Sequence, residues 1–270
     1  EEAVRVSPDK PILIDEFLED AVELDVDAVA DGESVLIGGI MEHVESAGVH
    51  SGDSACMIPP RSLGREVNRK VREVTEDIAR ALDTVGLLNV QLAVKDGEVY
   101  VLEANPRSSR TVPFISKATG VPIAKLAAKV MAGESLAEMD VHEQVPAQTS
   151  IKEVVLPFDR LPGSDPRLGP EMKSTGEVMG SADTFGKAYQ KAQMAVGKAI
   201  PLEGTAVVDL SESEFPGVDT AEGEELVAGY AEHFDLVEFE STDAFVEAVQ
   251  NGEIDLIVSR QGDPLETAVE

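Results

Sequence analysis

Between Asn89 and Arg110 the chain reads NVQLAVKDGEVYVLEANPRSSR, and its polar residues are of the types that hold metal-bound phosphate. Glu103 supplies a carboxylate, and Gln91, Asn105 and Asn89 supply amide oxygens. Such a hard oxygen set suits Mg²⁺, which takes one or two carboxylates and completes its shell with substrate phosphates and water. Arg107 and Arg110 follow directly, and a guanidinium fork matches phosphate oxygens that a metal partly neutralises. The same residues also read as the solvated end of an edge hairpin with a loop salt bridge. E-x-N-x-R is too short a pattern to choose between the two readings.

These side chains need a hairpin to bring them together. Leu88, Val90, Leu92 and Val94 alternate with polar neighbours, as do Tyr100, Leu102 and Ala104 on the return strand, with Asp96-Gly97 as the turn. A strict two-residue loop sets Gln91 opposite Leu102 and splits the polar set between faces. A three-residue loop, Lys95-Asp96-Gly97, pairs Gln91 with Val101 and Asn89 with Glu103, which gathers the polar residues on one face. That register is preferred here.

Upstream, Val22–Ala28 alternates strictly, and the Asp31-Gly32 turn leads into Ser34–Met41 as its antiparallel partner. Glu23, Asp25 and Asp27 are expected on the wet side of a half-buried sheet. Met41–Ser54 (MEHVESAGVHSGDS) reads as a binding loop in which His50, between Gly48 and Ser51-Gly52, has a functional role. Zinc at His43, His50 and Cys56 is rejected for want of close ligand spacing. Leu63, Val67, Val71, Val74, Ile78 and Leu82 mark an amphipathic helix with Ser62 as its N-cap. Ile123–Met131 is a second helix, opened by Pro122 and closed by Gly133. Ile151–Pro157 is a strand, 159–180 a long functional loop, and Thr184–Val196 a helix.

Composition bounds the rest. The chain has 270 residues, 43% hydrophobic, with 52 acidic against 22 basic residues and a formal charge of −30. A surface this acidic excludes nucleic acid and anionic membranes as partners. Acid dispersed along the chain is the pattern of a protein soluble in very high salt, where screening removes self-repulsion. One cysteine, Cys56, allows no intrachain disulfide and fits a reducing cytoplasm. No apolar run reaches membrane-span length. The chain opens on EEAVRVSPDK without an initiating methionine and reads as the middle of something longer. After Pro201 come nineteen acidic residues, one arginine (Arg260) and no lysine. Strands at 204–210, 234–239 and 254–259 alternate there with helices at 222–232 and 243–250, the mark of a small α/β unit with a parallel sheet.

The motifs DAVELDVDA, IGGIMEHVESAGVHSGDS, NVQLAVKDGEVYVLEANPRSSRTVPFISKATGVPIAKLAAKVMAG, IKEVVLPF and GPEMKSTGEVMG together resemble the large subunits of carbamoyl phosphate synthetases, in particular their C-terminal half. The resemblance is dense over 11–196 and thins after 201. It implies an α+β ATP-grasp domain over 1–198, lacking the lid and glycine-rich loop, then a short acidic α/β unit over 199–270 of methylglyoxal-synthase type. It implies phosphorylation of carbamate by MgATP, for arginine and pyrimidine synthesis, with two Mg²⁺ or Mn²⁺ ions and K⁺. Gln91, Glu103 and Asn105 would be metal ligands, with Arg107, Arg110 and Glu103 catalytic. Glu16, Leu18 and Glu23 would hold adenine and ribose, while Gly48, Val49, His50 and Ser51 line the nucleotide cleft. Glu45, Asp53 and Glu153 would hold a cationic effector such as ornithine. The partners implied are a glutamine amidotransferase small subunit and the preceding part of the large chain.

Two departures qualify this. In the family the glycine-rich loop and lid precede the segments present here, so the isolated chain is expected not to turn over ATP; carbamoyl phosphate made by the purified 270 residues would refute that. The acidic tail would repel a phosphate effector, so nucleotide control is expected to be weak, and tight saturable binding of UMP or IMP would contradict it. A biotin-carboxylase-type ligase lacks the GVHSGDS loop, and a non-catalytic assembly module has no reason to keep Glu103 and Asn105.

Overall fold

Tight turns between alternating strands build the larger sheet. Strands β1 (Val22–Asp31) and β2 (Val35–His43) pair antiparallel. Their turn is fixed by Asp31, whose Oδ1 accepts the N–H groups of Glu33 and Ser34 at 3.0 and 2.7 Å. β3 (Cys56–Ile58), β4 (Val85–Lys95), β5 (Glu98–Asn105), β6 (Thr149–Val155) and β7 (Gly176–Ala182) complete seven strands in the order β5-β4-β1-β2-β3-β6-β7. The computed structural model of the chain describes residues 17–18, 21–45, 47–160, 167–208, 233–237 and 241–258. Glu16, the helix expected at 222–232 and the middle of the long loop lie outside the described residues.

Both faces of this sheet are covered, which is why β1 is buried along most of its length. Helix α1 (Arg65–Ala81) covers one face, packing Val71 and Ala79 against Leu24, Val26, Leu88, Val90 and Leu92. Its cap is Gly64, not the expected Ser62, whose N–H goes instead to Glu42 Oε2 at 2.9 Å. The buried stripe runs Val71-Thr75-Ala79 at four-residue spacing, and Leu82, past the helix end, is exposed. α2 (Val112–Thr119) and α3 (Ile123–Met131) cover the other face around Ile115, Ile123, Met41 and Ile58. Burying side chains of this size is worth about 1.5–3 kcal/mol each.

Residues 176–180, expected at the end of the long loop, instead belong to edge strand β7 (Gly176–Ala182), against which α4 (Phe185–Ala195) packs. Thr184 caps that helix by accepting from Lys187 N–H. A Cβ on Gly180 would sit 2.3 Å from the Ala188 carbonyl oxygen and 2.6 Å from Ala192 N. Gly180→Ala is therefore expected to cost about 3 kcal/mol, the upper range for overpacking. An unchanged midpoint in chemical denaturation would show that the helix yields.

Contacts divide the chain into two compact units, Glu1–Pro162 with Arg167–Val196, and Gly163–Pro166 with Gly197–Glu270. In the second, β8 (Gly204–Val208) lies between β10 (Leu256–Val258) and β9 (Phe234–Leu236), both parallel to it. α5 (Thr242–Gln250) is capped by Ser241, with Phe245 and Ala248 buried. Among the described residues no helix is long and apolar enough to cross a membrane.

Candidate functional site

The β4-β5 hairpin gathers its polar residues by a route the sequence reading did not foresee. Asp96 (φ 52°) and Gly97 (φ 78°) are both left-handed, so the turn is a two-residue one, and Leu92 pairs with Val101. The register then shifts: Gln91 pairs with Glu103 and Asn89 with Asn105, leaving Leu102 as an extra residue. The expected pairs Gln91–Val101 and Asn89–Glu103 are thus incorrect. A bulge restores the parity that the tight turn would have broken, and bulges next to sites re-aim side chains in this way.

Hydrogen bonds fix the amides. Asn105 Nδ2 donates to Glu103 Oε1 at 2.8 Å, and Gln91 Nε2 donates to Ser51 Oγ at 3.1 Å. Each amide nitrogen is engaged by protein, so each carbonyl oxygen remains available as a ligand. Among the described residues no trio of His, Cys, Asp or Glu has metal-binding geometry. The hairpin offers one carboxylate and two amide oxygens, a set that suits a cation completing its shell with phosphate and water.

Gln91, Glu103, Arg107 and Arg110 line a cleft of about 450 Å³ together with His50, Ser51 and Lys152. The segment 167–177 supplies a further wall through Met172, Ser174 and Glu177. Arg107 Nη1 donates to Ser108 O at 3.1 Å, and Arg110 contacts Met172 Sδ. His50 N–H donates to Gly169 O at 2.8 Å, and its Nδ1 accepts from Gly52 N–H at 2.9 Å. Asp53, wholly buried, accepts the N–H groups of Lys173 and Ser174 at 2.6 and 2.8 Å. Its two oxygens thus tie the 47–54 loop to the wall.

Glu23 and Gly48 meet, Glu23 Oε1 accepting the Gly48 N–H at 3.1 Å. Val49 is buried and Leu18 half-buried; these four do not line the cleft. Glu45 accepts Ala55 N–H at 2.6 Å, and Glu153 accepts from Gln193 Nε2 at 2.7 Å. Burial, joined by the Glu153 charge, pushes Glu45 up to about 7.

The floor was misread from sequence. Asp25 and Asp27 are 2% and 1% exposed, not on a wet face. Asn89 Nδ2 donates to Asp25 Oδ1 and Asp27 Oδ1, both at 3.0 Å. Asp27 Oδ2 accepts from Ser109 Oγ at 2.8 Å and Thr111 Oγ1 at 2.5 Å, anchoring the loop that carries Arg107 and Arg110. Asp25 Oδ2 accepts from His43 Nε2 at 2.9 Å. Burial would raise Asp25, but His43 and then Asn89 hold it below 3.8. Burial, joined by the Asp25 charge, pushes Asp27 up to about 6 against its three hydrogen bonds. The available signal was parity: Asp25 and Asp27 stand opposite Gln91 and Asn89 in the β1-β4 register.

Burial also opposes charge on His43, yet Cys56, Asp25 and Glu23 outweigh it and hold the imidazole well above 6.5. Its Nδ1 lies 3.4 Å from Glu23 Oε2, within ion-pair range but without hydrogen-bond geometry. A raised imidazole pKa gives stability that is complete below 6.5 and lost as pH rises through the folded value. Glu45, raised from 4.5 to about 7, loses its contribution across that interval. The melting midpoint is therefore expected to fall as pH rises from about 5 through about 7 and on through the folded-state value of His43. His43→Gln should flatten the alkaline part, and an unchanged slope in that variant would exclude His43 as its source.

A family model described as "Carbamoyl-phosphate synthase L chain, ATP binding domain" matches residues 1–139. The chain is 68% identical over 270 residues to the carbamoyl phosphate synthase large chain of Halobacterium salinarum, covering all of this chain and 24% of that one. It is 61% identical over 216 residues to that of Methanosarcina acetivorans, covering 80% of this chain and 20% of the relative. The large chain, C-terminal section, of Methanocaldococcus jannaschii is 58% identical over 225 residues, 79% of this chain and 36% of that one. The chain thus spans about a quarter or less of the length of the first two relatives. A solved biotin carboxylase domain of a single-chain bacterial carboxylase superposes with a TM-score of 0.51 at 17% identity, covering 68% of this chain and 48% of that one. At that identity the likeness concerns the fold alone, which is the ATP-grasp fold.

Proposed function

Because this chain belongs to the carbamoyl-phosphate synthase large-chain family, we propose that it is part of an ATP-dependent ligase that phosphorylates carbamate to carbamoyl phosphate. The observation that carries the reading is the bulged hairpin end, which sets Gln91 against Glu103 and Asn89 against Asn105 beside two arginines. Gln91, Glu103 and Asn105 would hold Mg²⁺ or Mn²⁺, and the metal would neutralise phosphate charge. Arg107 and Arg110 bind the oxygens of the transferring phosphoryl group, work of positioning and electrostatics. Ser51 Oγ accepts from the Gln91 amide nitrogen, which would leave the carbonyl oxygen as the ligand. Glu16, Leu18 and Glu23 would take adenine and ribose, and Gly48, Val49, His50 and Ser51 would line the nucleotide. A monovalent cation such as K⁺ would be a further cofactor.

The wider reading follows the family: carbamoyl phosphate for arginine and pyrimidine synthesis, in a cytoplasm of high salt that the charge of −30 suits. The partners are a glutamine amidotransferase small subunit and the rest of a large chain. Glu45 and Glu153, which raise each other's cost of ionisation, favour a cationic effector such as ornithine. Asp53 acts chiefly as a tie for the 167–177 wall, since backbone amides use both its oxygens. The small parallel α/β unit is of methylglyoxal-synthase type, with its nucleotide control weakened by acidity. The test is calorimetry with ADP in molar KCl, with Mg²⁺ and with a chelator. Binding that needs Mg²⁺ is expected; equal binding in both would remove the hairpin from the phosphate end of the nucleotide.

A further inference from the structure

One buried cation in the cleft has no task in the scheme above. Lys152 is 2% exposed, heads the largest wholly buried side chains, and lines the cleft. Its Nζ donates to Ser51 O at 3.3 Å, and this is its one hydrogen bond or ion pair among the described residues. An ammonium carries three donors, and burying its charge costs several kcal/mol unless an anion or further hydrogen bonds answer it. Asp25, the nearest candidate by its electrostatic influence, is already committed through Oδ2 to His43 and through Oδ1 to Asn89. The next residue, Glu153, has opposite parity and is held by Gln193 under α4. Among the described residues, Lys152 therefore has no anion in hydrogen-bond or ion-pair contact, and Asp25 acts on it only at longer range.

The topology says from which side it acts. β6 is separated from β4 by β1, β2 and β3, so the backbones of the two strands lie about 19 Å apart at about 4.8 Å per step. The Lys152 side chain nevertheless reaches Ser51, whose hydroxyl also holds the Gln91 amide, so its ammonium stands at the edge of the hairpin's oxygen set. Two guanidiniums and the hairpin oxygens already serve the phosphoryl group. A point charge beside them is placed for a second anion that approaches the phosphoryl group.

We propose that Lys152 binds the acceptor substrate, a small planar carboxylate-class anion, and aims its oxygen at the phosphoryl group. This rests on the ligase reading above. An oxygen of the carbamate forms the new bond to the γ-phosphorus, and the bond from that phosphorus to the β,γ-bridging oxygen breaks, releasing ADP. Lys152 stays protonated throughout and exchanges no proton.

The test runs the transfer backwards in the full-length large chain, with carbamoyl phosphate and MgADP giving carbamate and ATP. Lys152→Met is expected to raise KM for carbamoyl phosphate about tenfold or more, the loss of one charge-assisted bond, with KM for MgADP unchanged. Lys152→Arg, which keeps the charge, is expected to lie between Met and wild type. A KM that rises equally for both substrates, with weaker inhibition by inorganic phosphate, would move Lys152 to the phosphoryl group and overturn the proposal. No rise at all, or an Arg variant as poor as Met, would also overturn it. If Lys152→Met loses its melting transition, Lys152→Gln replaces it in the same comparison. A wild-type chain that makes no ATP from these substrates would instead refute the ligase reading itself.

Discussion

Glu103→Gln will abolish metal-dependent nucleotide binding while leaving the fold intact. Glu103 is the one carboxylate among the three hairpin ligands, and it is exposed on an edge strand, so the core does not depend on it. The substitution keeps volume and removes one negative charge from a site whose other ligands are neutral amides. Magnesium tolerates few protein ligands and depends on carboxylate charge to give up water. Affinity for MgADP should fall about 100-fold or more, close to 3 kcal/mol, and the melting midpoint should hold. In the full-length large chain the same change should cut carbamoyl phosphate synthesis about a thousandfold, as loss of a preorganised charge does. Calorimetry in molar KCl reads the first effect directly. Binding that keeps its Mg²⁺ dependence in the variant would show that the ligands lie elsewhere.

How far the site could be read in advance turns on which forces are local. The hairpin, its turn residues and the parity of Gln91, Glu103 and Asn105 were visible, because alternation and Asp-Gly turns are written into adjacent residues. The bulge at Leu102 was not, since nothing in the local pattern prices one extra residue in an edge strand. Two wrong assumptions about loop length and regularity cancelled, which is why the polar face was right and the pairs were not. Asp25 and Asp27 failed for a different reason. A strand of alternating acids reads as half-wet, and only the loop after β5 and the imidazole of His43, distant in sequence, turn that face dry. β7 was lost because its glycines discourage a strand, whereas α4 needs the bareness of Gly180. Lys152 drew no notice because a lysine in a strand is ordinarily solvated.

Asp27 is where that buried polar floor can be broken. Three oxygens, Asp27 Oδ2, Ser109 Oγ and Thr111 Oγ1, lie in mutual contact, with the two hydroxyls 2.7 Å apart. Two hydroxyl protons cannot fill three such contacts when Asp27 is ionised; a proton on the carboxyl fills the third. Burial pushing Asp27 up to about 6 is the same fact in energetic form. The carboxyl's extra stability is complete below 3.8 and lost as pH rises through about 6. Asp27→Asn carries a permanent donor in place of that proton. It should flatten the stability profile between about pH 4 and about pH 6, matching wild type below that interval within about 1 kcal/mol and exceeding it above. Asp27→Ala strands Asn89, Ser109 and Thr111 as buried donors and should cost about 3 kcal/mol. It should also lower phosphoryl transfer, because the loop bearing Arg107 and Arg110 loses its anchor. Chemical denaturation at about pH 5 and about pH 8 separates the two variants. An alanine variant as stable as wild type would mean that water replaces the carboxylate, and the floor would then not be what holds the arginines in place.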